Sequence, residues 1–534
     1  MLPNRNGCGQ KVILLDTKDL IWGQNLSPKQ MPINLNLGLL SIGTLLQRSG
    51  FDVKIIDLLV DMDYEERIEK SLSGGDVLLA LVSVTDGSVK SGMDISRRIK
   101  LLAPSLPVIW GSFQRGFFGP FVNLYPEVVL KSELVDMVIL GDEYTVLSIA
   151  NILSQYGDDK ENSLQQVRGI GYKQDGQLIF TEAVDKVKER PCIEEDYRLV
   201  DIEKYILRPG RELARNKQLK RILPISTGEG CPYQCTFCIN SVSFHRRKFR
   251  LKPAEMIIRQ LEVAIERYGV EVVWFQDDNL FADKKRAFVL FNEIERRGWQ
   301  IKWAGQTRLN YFSENYISDE WFANVSKNCI WFGVGFETIS DRLRKIYNKN
   351  VTTEILERVA ELCRKNGVLL AVAFIVGTVD ETRREMLDTM DYILSFKERF
   401  PYTSITYQVY RPYRGSVEYE KIKAKGYPVK EPEDLEGWAT DTLPLHSYQG
   451  FSWLDEGDKK ELIKPLLKIV SFFNVESLGA PGNTLLERLV YRLHRSLAQW
   501  RLRNDFWQLN FEPYLAGLAI WLLAGQWSVT NSEA

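Results

Sequence analysis

Ile222-Leu223-Pro224-Ile225-Ser226-Thr227-Gly228-Glu229-Gly230-Cys231-Pro232-Tyr233-Gln234-Cys235-Thr236-Phe237-Cys238 decides how this chain is read. The first six residues form a short apolar run closed by glycines, the pattern of a buried strand that ends in a loop. Three thiols then follow within eight residues, at spacings of four and three. Soft thiolates at such spacing suit a cubane iron-sulfur cluster in which one iron has no protein ligand. A tetrahedral zinc site completed by His245 is the competing reading, and unliganded thiols are a third. The spacing and the placement after a strand favour the cluster. The other cysteines, Cys8, Cys192, Cys329 and Cys363, are scattered.

Outward from this loop, strand-like segments recur at Val270 to Gln276, Ile301 to Gln306, Trp331 to Phe336, Leu369 to Val376 and Ile405 to Val409, with helical patterns between them. With Ile222 to Thr227 they make six strand and helix repeats, a complete or partial (β/α) barrel with its chemistry at the carboxyl ends of the strands. Before it, Val12 to Leu15, Val53 to Asp57, Val77 to Val82, Val108 to Trp110 and Met137 to Leu140 alternate with helical patterns such as Leu39 to Gln47 and Met93 to Leu102. That is the signature of a doubly wound parallel sheet. The fold class is therefore α/β. Expected boundaries are 1–155 for the doubly wound domain, 156–220 for a linker with a hairpin at Asp175-Gly176, 221–412 for the barrel and 413–534 for a mostly helical carboxyl-terminal region.

CxxxCxxC with Phe237 before the last cysteine resembles the radical S-adenosylmethionine (SAM) superfamily. The resemblance continues through Val272 to Phe281, where Gln276, Asp277 and Asp278 stand for the segment that meets the methionine part of SAM. Gly333-Val334-Gly335-Phe336-Glu337-Thr338 resembles the fourth-strand motif, whose carboxylate and hydroxyl reach the ribose or carboxylate of SAM. Ala373-Phe374-Ile375-Val376-Gly377, with Glu381 following, resembles the motif that packs the adenine; Arg308 is counted with this set. The resemblance implies that Cys231, Cys235 and Cys238 hold a 4Fe-4S cluster and that SAM chelates its fourth iron. An electron donor such as a flavodoxin or ferredoxin is implied too. Read without the resemblance, Asp277, Asp278 and Glu337 serve equally as helix caps or strand-end hydrogen-bonding residues.

The first domain resembles the cobalamin-binding branch of that superfamily, in Asn36 to Asp57, Leu78 to Ser88, Pro107 to Ser112 and Val135 to Tyr144. If Gly38 stands for the glycine of a DxHxxG loop, the cobalt-ligand position is Leu35, and no histidine precedes His245. Cobalamin is therefore expected without a protein histidine on cobalt. Ser83 and Thr85 stand near the SxL element and Gly111-Ser112 near the GG element. Gly141 and Glu143 lie at the next strand end. A cobalamin-free flavodoxin-like domain that docks the barrel or binds substrate is the alternative.

Composition limits the partners. Lys and Arg total 69 against 70 Asp and Glu, a net charge of −1, so no global field draws the chain to nucleic acid or an anionic surface. The basic run His245 to Lys252 reads as a solvated face, or as a cradle for cobalamin amides, its phosphate or an anionic substrate. Arg488 to Arg503 reads as an amphipathic helix on the barrel, and the tail tryptophans, including Trp500, Trp507, Trp521 and Trp527, as core. Tyr514 to Trp527 is uncharged but spans fourteen positions, short of a transmembrane helix. An odd count of seven cysteines and an amino terminus without an apolar signal core point to the cytoplasm.

The expected function is a cobalamin-dependent radical SAM enzyme, a methyltransferase to an unactivated carbon of a small-molecule or peptide natural product. Oxidative cyclisation or rearrangement on the same architecture is the runner-up. An RNA-modifying radical SAM enzyme comes behind, because the sequence offers only Cys8 toward a second cluster and no net basicity, and a non-enzymatic cobalamin or SAM sensor comes behind because of the assembled cysteine loop. No catalytic acid or base is assigned from sequence.

Overall fold

The computed structural model describes residues 9–17, 35–113, 120–155, 163–184, 190–206, 221–242, 249–312, 316–429, 431–440 and 452–454, with scattered positions between 462 and 506. These fall into two compact bodies. One draws on Met1–Gln306, Pro412–Glu420 and Lys430–Pro444, the other on Thr307–Arg411, Lys421–Val429 and Leu445–Ala534.

In the first body, β1 (Lys11–Asp16), β2 (Asp52–Asp57), β3 (Val77–Ser83), β4 (Val108–Gly111) and β5 (Met137–Ile139) are parallel, in the order 2-1-3-4-5. All five lie where the sequence places them. The pleat explains the double winding: Val12 and Leu14 face one core with Leu79, Leu81 and Ile109, while Ile13 and Leu15 face another with Ala80, Val82 and Trp110. The crossover helix Leu37–Arg48 opens on Asn36, whose side chain accepts from the Leu39 amide. The expected hairpin is present as β6 (Ile170–Gln174) and β7 (Gln177–Phe180), turning through Asp175 and Gly176 at φ 50° and 76°. It is not free-standing linker. β6 pairs antiparallel with β5 and extends the sheet to seven strands, burying Ile170 and Tyr172 in the core of the doubly wound domain.

The same body continues with β8 (Ile222–Ile225), a two-residue ribbon of β9 (Gly228–Glu229) and β10 (Arg250–Leu251), β11 (Val272–Phe275) and β12 (Lys302–Thr307). β11 pairs in parallel with both β8 and β12. The second body holds three parallel strands, β13 (Cys329–Glu337), β14 (Leu369–Val376) and β15 (Ser404–Val409). Leu370, Val372, Phe374 and Val376 bury the alternate face of β14, with the helices Thr353–Lys365 and Arg383–Arg399 between strands. All six expected strands are therefore present, three in each body, each pair separated by helix as a (β/α) barrel requires.

Helices Val417–Ala424 and Leu435–Thr440 carry the chain past β15, and Leu435 and Trp438 join the core of the first sheet. Among the described residues no helix is long and apolar enough to cross a membrane. His245, Cys8, Tyr514 to Trp527 and most of Arg488 to Arg503 lie outside the described residues.

Candidate functional site

The cysteine loop starts at the carboxyl end of β8 and is fixed from beneath by Asp277. That carboxylate accepts from the Thr227 amide at 3.0 Å and the Thr227 hydroxyl at 2.9 Å. Burial pushes the Asp277 carboxyl up, against Arg286 and the Thr227 donors. Asp277 therefore acts as a brace for the loop. Its neighbour Asp278 accepts from Asn240 Nδ2 at 3.0 Å, on the far side of the cysteines. The loop then closes on itself, with Cys238 N donating to Cys235 O and Ser241 N to Cys238 O. Thr236 Oγ1 donates to Glu418 Oε1 at 2.9 Å.

Cys235 is buried, and Cys231 and Cys238 are half-buried by side-chain exposure; none is in a disulfide. Burial pushes the Cys238 thiol up to about 12, with Cys235, Asp278 and Cys231 adding to it, so the thiols sense one another across the loop. No three His, Cys, Asp or Glu among the described residues converge as around a single metal ion. Three soft thiolates at spacings of four and three suit a cubane, whose cysteines bind three different irons and leave the fourth open. Asn279 Nδ2 donates to Cys231 Sγ at 3.6 Å, the kind of contact that tunes a thiolate ligand. Sequence reasoning passed over Asn279, although it stands beside Asp278 in the quoted segment. Gln276 ends the same strand region, with a side-chain oxygen that is buried and without a hydrogen-bond partner.

In the second body, a register shift between Gly335 and Glu337 breaks β13 against β14. Glu337 there takes φ 76°, a left-handed conformation that L side chains rarely adopt. Its buried carboxylate accepts from Lys349 Nζ at 2.6 Å. Gly335 is needed beside it, since a Cβ would lie 2.3 Å from Glu337 Oε1 and 2.9 Å from Lys349 Nζ. Arg308 Nη2 donates to the Lys349 carbonyl at 2.9 Å. The expected Glu337 and Arg308 are thus joined through Lys349, which sequence reasoning missed; its signal is the Asn348-Lys349-Asn350 turn, with both asparagines at positive φ. Thr338 is buried, and its hydroxyl lies 3.1 Å from that of Thr389, directed into the body. Ile375 is half-buried and stands in register with Gln408. Gly377 takes φ 86°, donates to Glu381 Oε2 and accepts from Trp453 Nε1 at 2.8 Å.

At the carboxyl ends of the first sheet, Asn36 Nδ2 donates to Asp16 Oδ1 at 2.8 Å and to Ser83 Oγ at 3.1 Å. Burial and then Asp57 push the Asp16 carboxyl well up. Burial likewise carries Asp57 up to about 6, against donation from the Leu59 and Val60 amides and the Tyr205 hydroxyl. Thr85 bonds Ser88 and Ser112 Oγ donates to the Val84 carbonyl at 2.7 Å. These hydroxyls hold the loops of the crevice, and each keeps hydrogen-bonding capacity beyond the bonds named. Gly38 and Gly111 allow close approach: a Cβ on Gly38 would lie 1.9 Å from Phe113 O, and one on Gly111 2.1 Å from the Phe113 ring. Leu35 is buried and offers no donor to a metal. Gly141 packs against Thr145, and Glu143 is buried against Arg250.

The Radical SAM superfamily matches residues 225–393, from the end of β8 into the helix after β14. Residues 225–393 therefore carry a radical SAM domain. An uncharacterized methyltransferase of Pyrococcus horikoshii is 26% identical over 386 residues, 71% of this chain and 76% of the relative. An anaerobic magnesium-protoporphyrin IX monomethyl ester cyclase of Rubrivivax gelatinosus is 23% identical over 350 residues, 64% of this chain and 59% of the relative. Two solved structures share the fold. The radical SAM methyltransferase TsrM of Kitasatospora setae, with cobalamin and a [4Fe-4S] cluster bound, aligns at TM-score 0.60 and 17% identity, over 78% of each chain. The cobalamin-dependent SAM radical enzyme OxsB, with aqua-cobalamin and SAM bound, aligns at TM-score 0.65 and 16% identity, over 96% of this chain and 75% of that one.

Proposed function

We propose that this chain is a cobalamin-dependent radical SAM methyltransferase acting on an unactivated carbon of a small-molecule or peptide substrate. The observation that carries the reading is the joining, in one body, of a 2-1-3-4-5 parallel sheet and a three-cysteine loop at the end of β8. In such a sheet a ligand belongs at the carboxyl ends, where the order reverses between β1 and β3. The residues present fit both groups. Cys231, Cys235 and Cys238 would hold the cluster, with Asn279 on the Cys231 sulfur. Leu35, Ser83, Thr85, Gly111 and Ser112 would border the corrin, in a segment without a histidine.

When bound, SAM on the cluster supplies a radical that removes hydrogen from carbon, and cobalamin supplies a methyl group. The protein's own contribution is position and exclusion of water. Asp277 holds the loop at β8, while Asn36 holds Ser83 and Asp16 at the crevice. Glu337, Lys349 and Arg308 would hold polar groups of SAM. Electrons would come from a flavodoxin- or ferredoxin-like donor, in the cytoplasm.

The test gives methyl-deuterated SAM and a reductant to anaerobically reconstituted protein, with the small-molecule and peptide fraction of a cell extract. Label in a carbon-bound methyl group, with S-adenosylhomocysteine and 5'-deoxyadenosine formed in comparable amounts, is the expected result. Unlabelled product with 5'-deoxyadenosine alone would overturn the methyl-transfer reading in favour of rearrangement or of cyclisation, the second being the activity that the name of the Rubrivivax relative carries.

A further inference from the structure

The ribbon that leads into the cysteine loop ends two residues before Cys231. In it Arg250 stands opposite Glu229 and Leu251 opposite Gly228. The ribbon is tight at Gly228, where a Cβ would lie 2.6 Å from Leu251 Cδ2 and 2.9 Å from the Arg250 carbonyl. A displacement of Arg250 therefore moves Glu229 with it.

The Arg250 side chain is 2% exposed and runs to the carboxyl end of the first sheet. Its Nη2 donates to Glu143 Oε2 at 2.6 Å, and its Nε and Nη2 each donate to Glu229 at 3.2 Å. Nη1 lies 4.0 Å from Asp142 Oδ2, and Asp142 is itself paired with Arg190. Glu143 opens the helix Glu143–Gln155 that follows β5, next to Gly141 at the strand end. One guanidinium thus spans from the rim of the crevice to the strand that delivers the first cysteine. A planar fork can hold two carboxylates at fixed angles, and a lysine ammonium cannot.

We propose that Arg250 is a positioning residue that couples the crevice of the first sheet to the cluster loop, so that filling the crevice changes the surroundings of the cluster. This rests on the cobalamin reading above. A ligand at the strand ends displaces the Gly141-Asp142-Glu143 turn, Arg250 follows its two carboxylates, and Glu229 carries the motion to Cys231.

The test is the electron paramagnetic resonance spectrum of the reduced cluster in the full reconstituted chain, with and without hydroxocobalamin, with iron and cobalt counted in each sample. Wild-type protein is expected to show a shift in the cluster signal on cobalt loading. R250K keeps the charge without the fork, and E143Q takes the charge from the far end of the link alone, turning a charge-assisted bond into a weaker neutral one. Both are expected to retain iron and cobalt and to lose the shift. A shift of wild-type size in both variants, or none in cobalt-loaded wild type, would overturn the proposal. Wild-type protein with iron but no cobalt would instead overturn the cobalamin reading. The cobalt-free signal then decides for Arg250: a change between wild type and E143Q supports its positioning role, and identical signals overturn it.

Discussion

Replacing Lys349 by Met removes the ammonium that faces Glu337, in a pair whose side chains are each 7% exposed. Breaking one partner of a buried pair costs about 3–5 kcal/mol, because the remaining charge is left uncompensated. Arg308 bonds the Lys349 carbonyl, so that contact survives and the loss stays at the carboxylate. Adding E337Q to K349M removes the stranded charge and should recover about half of the loss, since a neutral amide is cheaper to bury than a carboxylate. E337G is a second control: it relieves a left-handed backbone worth about 1–2 kcal/mol and leaves Lys349 without its carboxylate. Native-state hydrogen exchange over Cys329–Glu337 reads the local opening free energy without assuming that the two bodies unfold together. K349M within about 1 kcal/mol of wild type, or a double variant no better than K349M, would refute the buried-charge argument.

Gly38→Ala should lower the melting temperature and weaken hydroxocobalamin uptake, because overpacking against Phe113 O at about 1–3 kcal/mol outweighs a helix-propensity gain of about 1 kcal/mol. Differential scanning calorimetry and a spectral titration check it, and an unchanged variant would show that the loop yields freely. Glu385 offers a pH test: burial pushes its carboxyl up, but Arg342, Ser340 and the Thr382 amide draw it down to about 2. Its folded value lies below its unfolded one, so its stabilisation is present above about pH 4.5 and disappears as pH falls toward 2. Acid-unfolding curves of E385Q should accordingly be flatter in that window than those of wild type. Substituting Ala at Cys231, Cys235 and Cys238 together should abolish iron binding, and a variant that keeps about four irons would contradict the ligand set.

Burial periodicity made the strands legible, since Val12 to Leu15 and Leu369 to Val376 bury alternate or continuous faces that only a sheet in this setting provides. The cysteine loop was legible because its chemistry is local. What stayed hidden depends on partners far away in sequence. Asn348 and Asn350 mark a turn around Lys349 but do not say that it meets Glu337, and the two-residue strands of the Arg250 ribbon are too short to show a period. Asp277, Ser83 and Thr85 were recognisable as strand-end polar residues, but their sequence does not announce the distant loops and side chains that they also hold. The hairpin turn was readable from Asp175-Gly176, whereas its pairing with β5 is tertiary.

Metal analysis of anaerobically purified protein, reconstituted with iron, sulfide and hydroxocobalamin, tests the central claim most directly. About four irons and about one cobalt per chain are expected, with no histidine nitrogen coupled to cobalt in the magnetic resonance spectrum. A chain that binds zinc in place of iron, or that takes up its irons and remains free of cobalt, would contradict it.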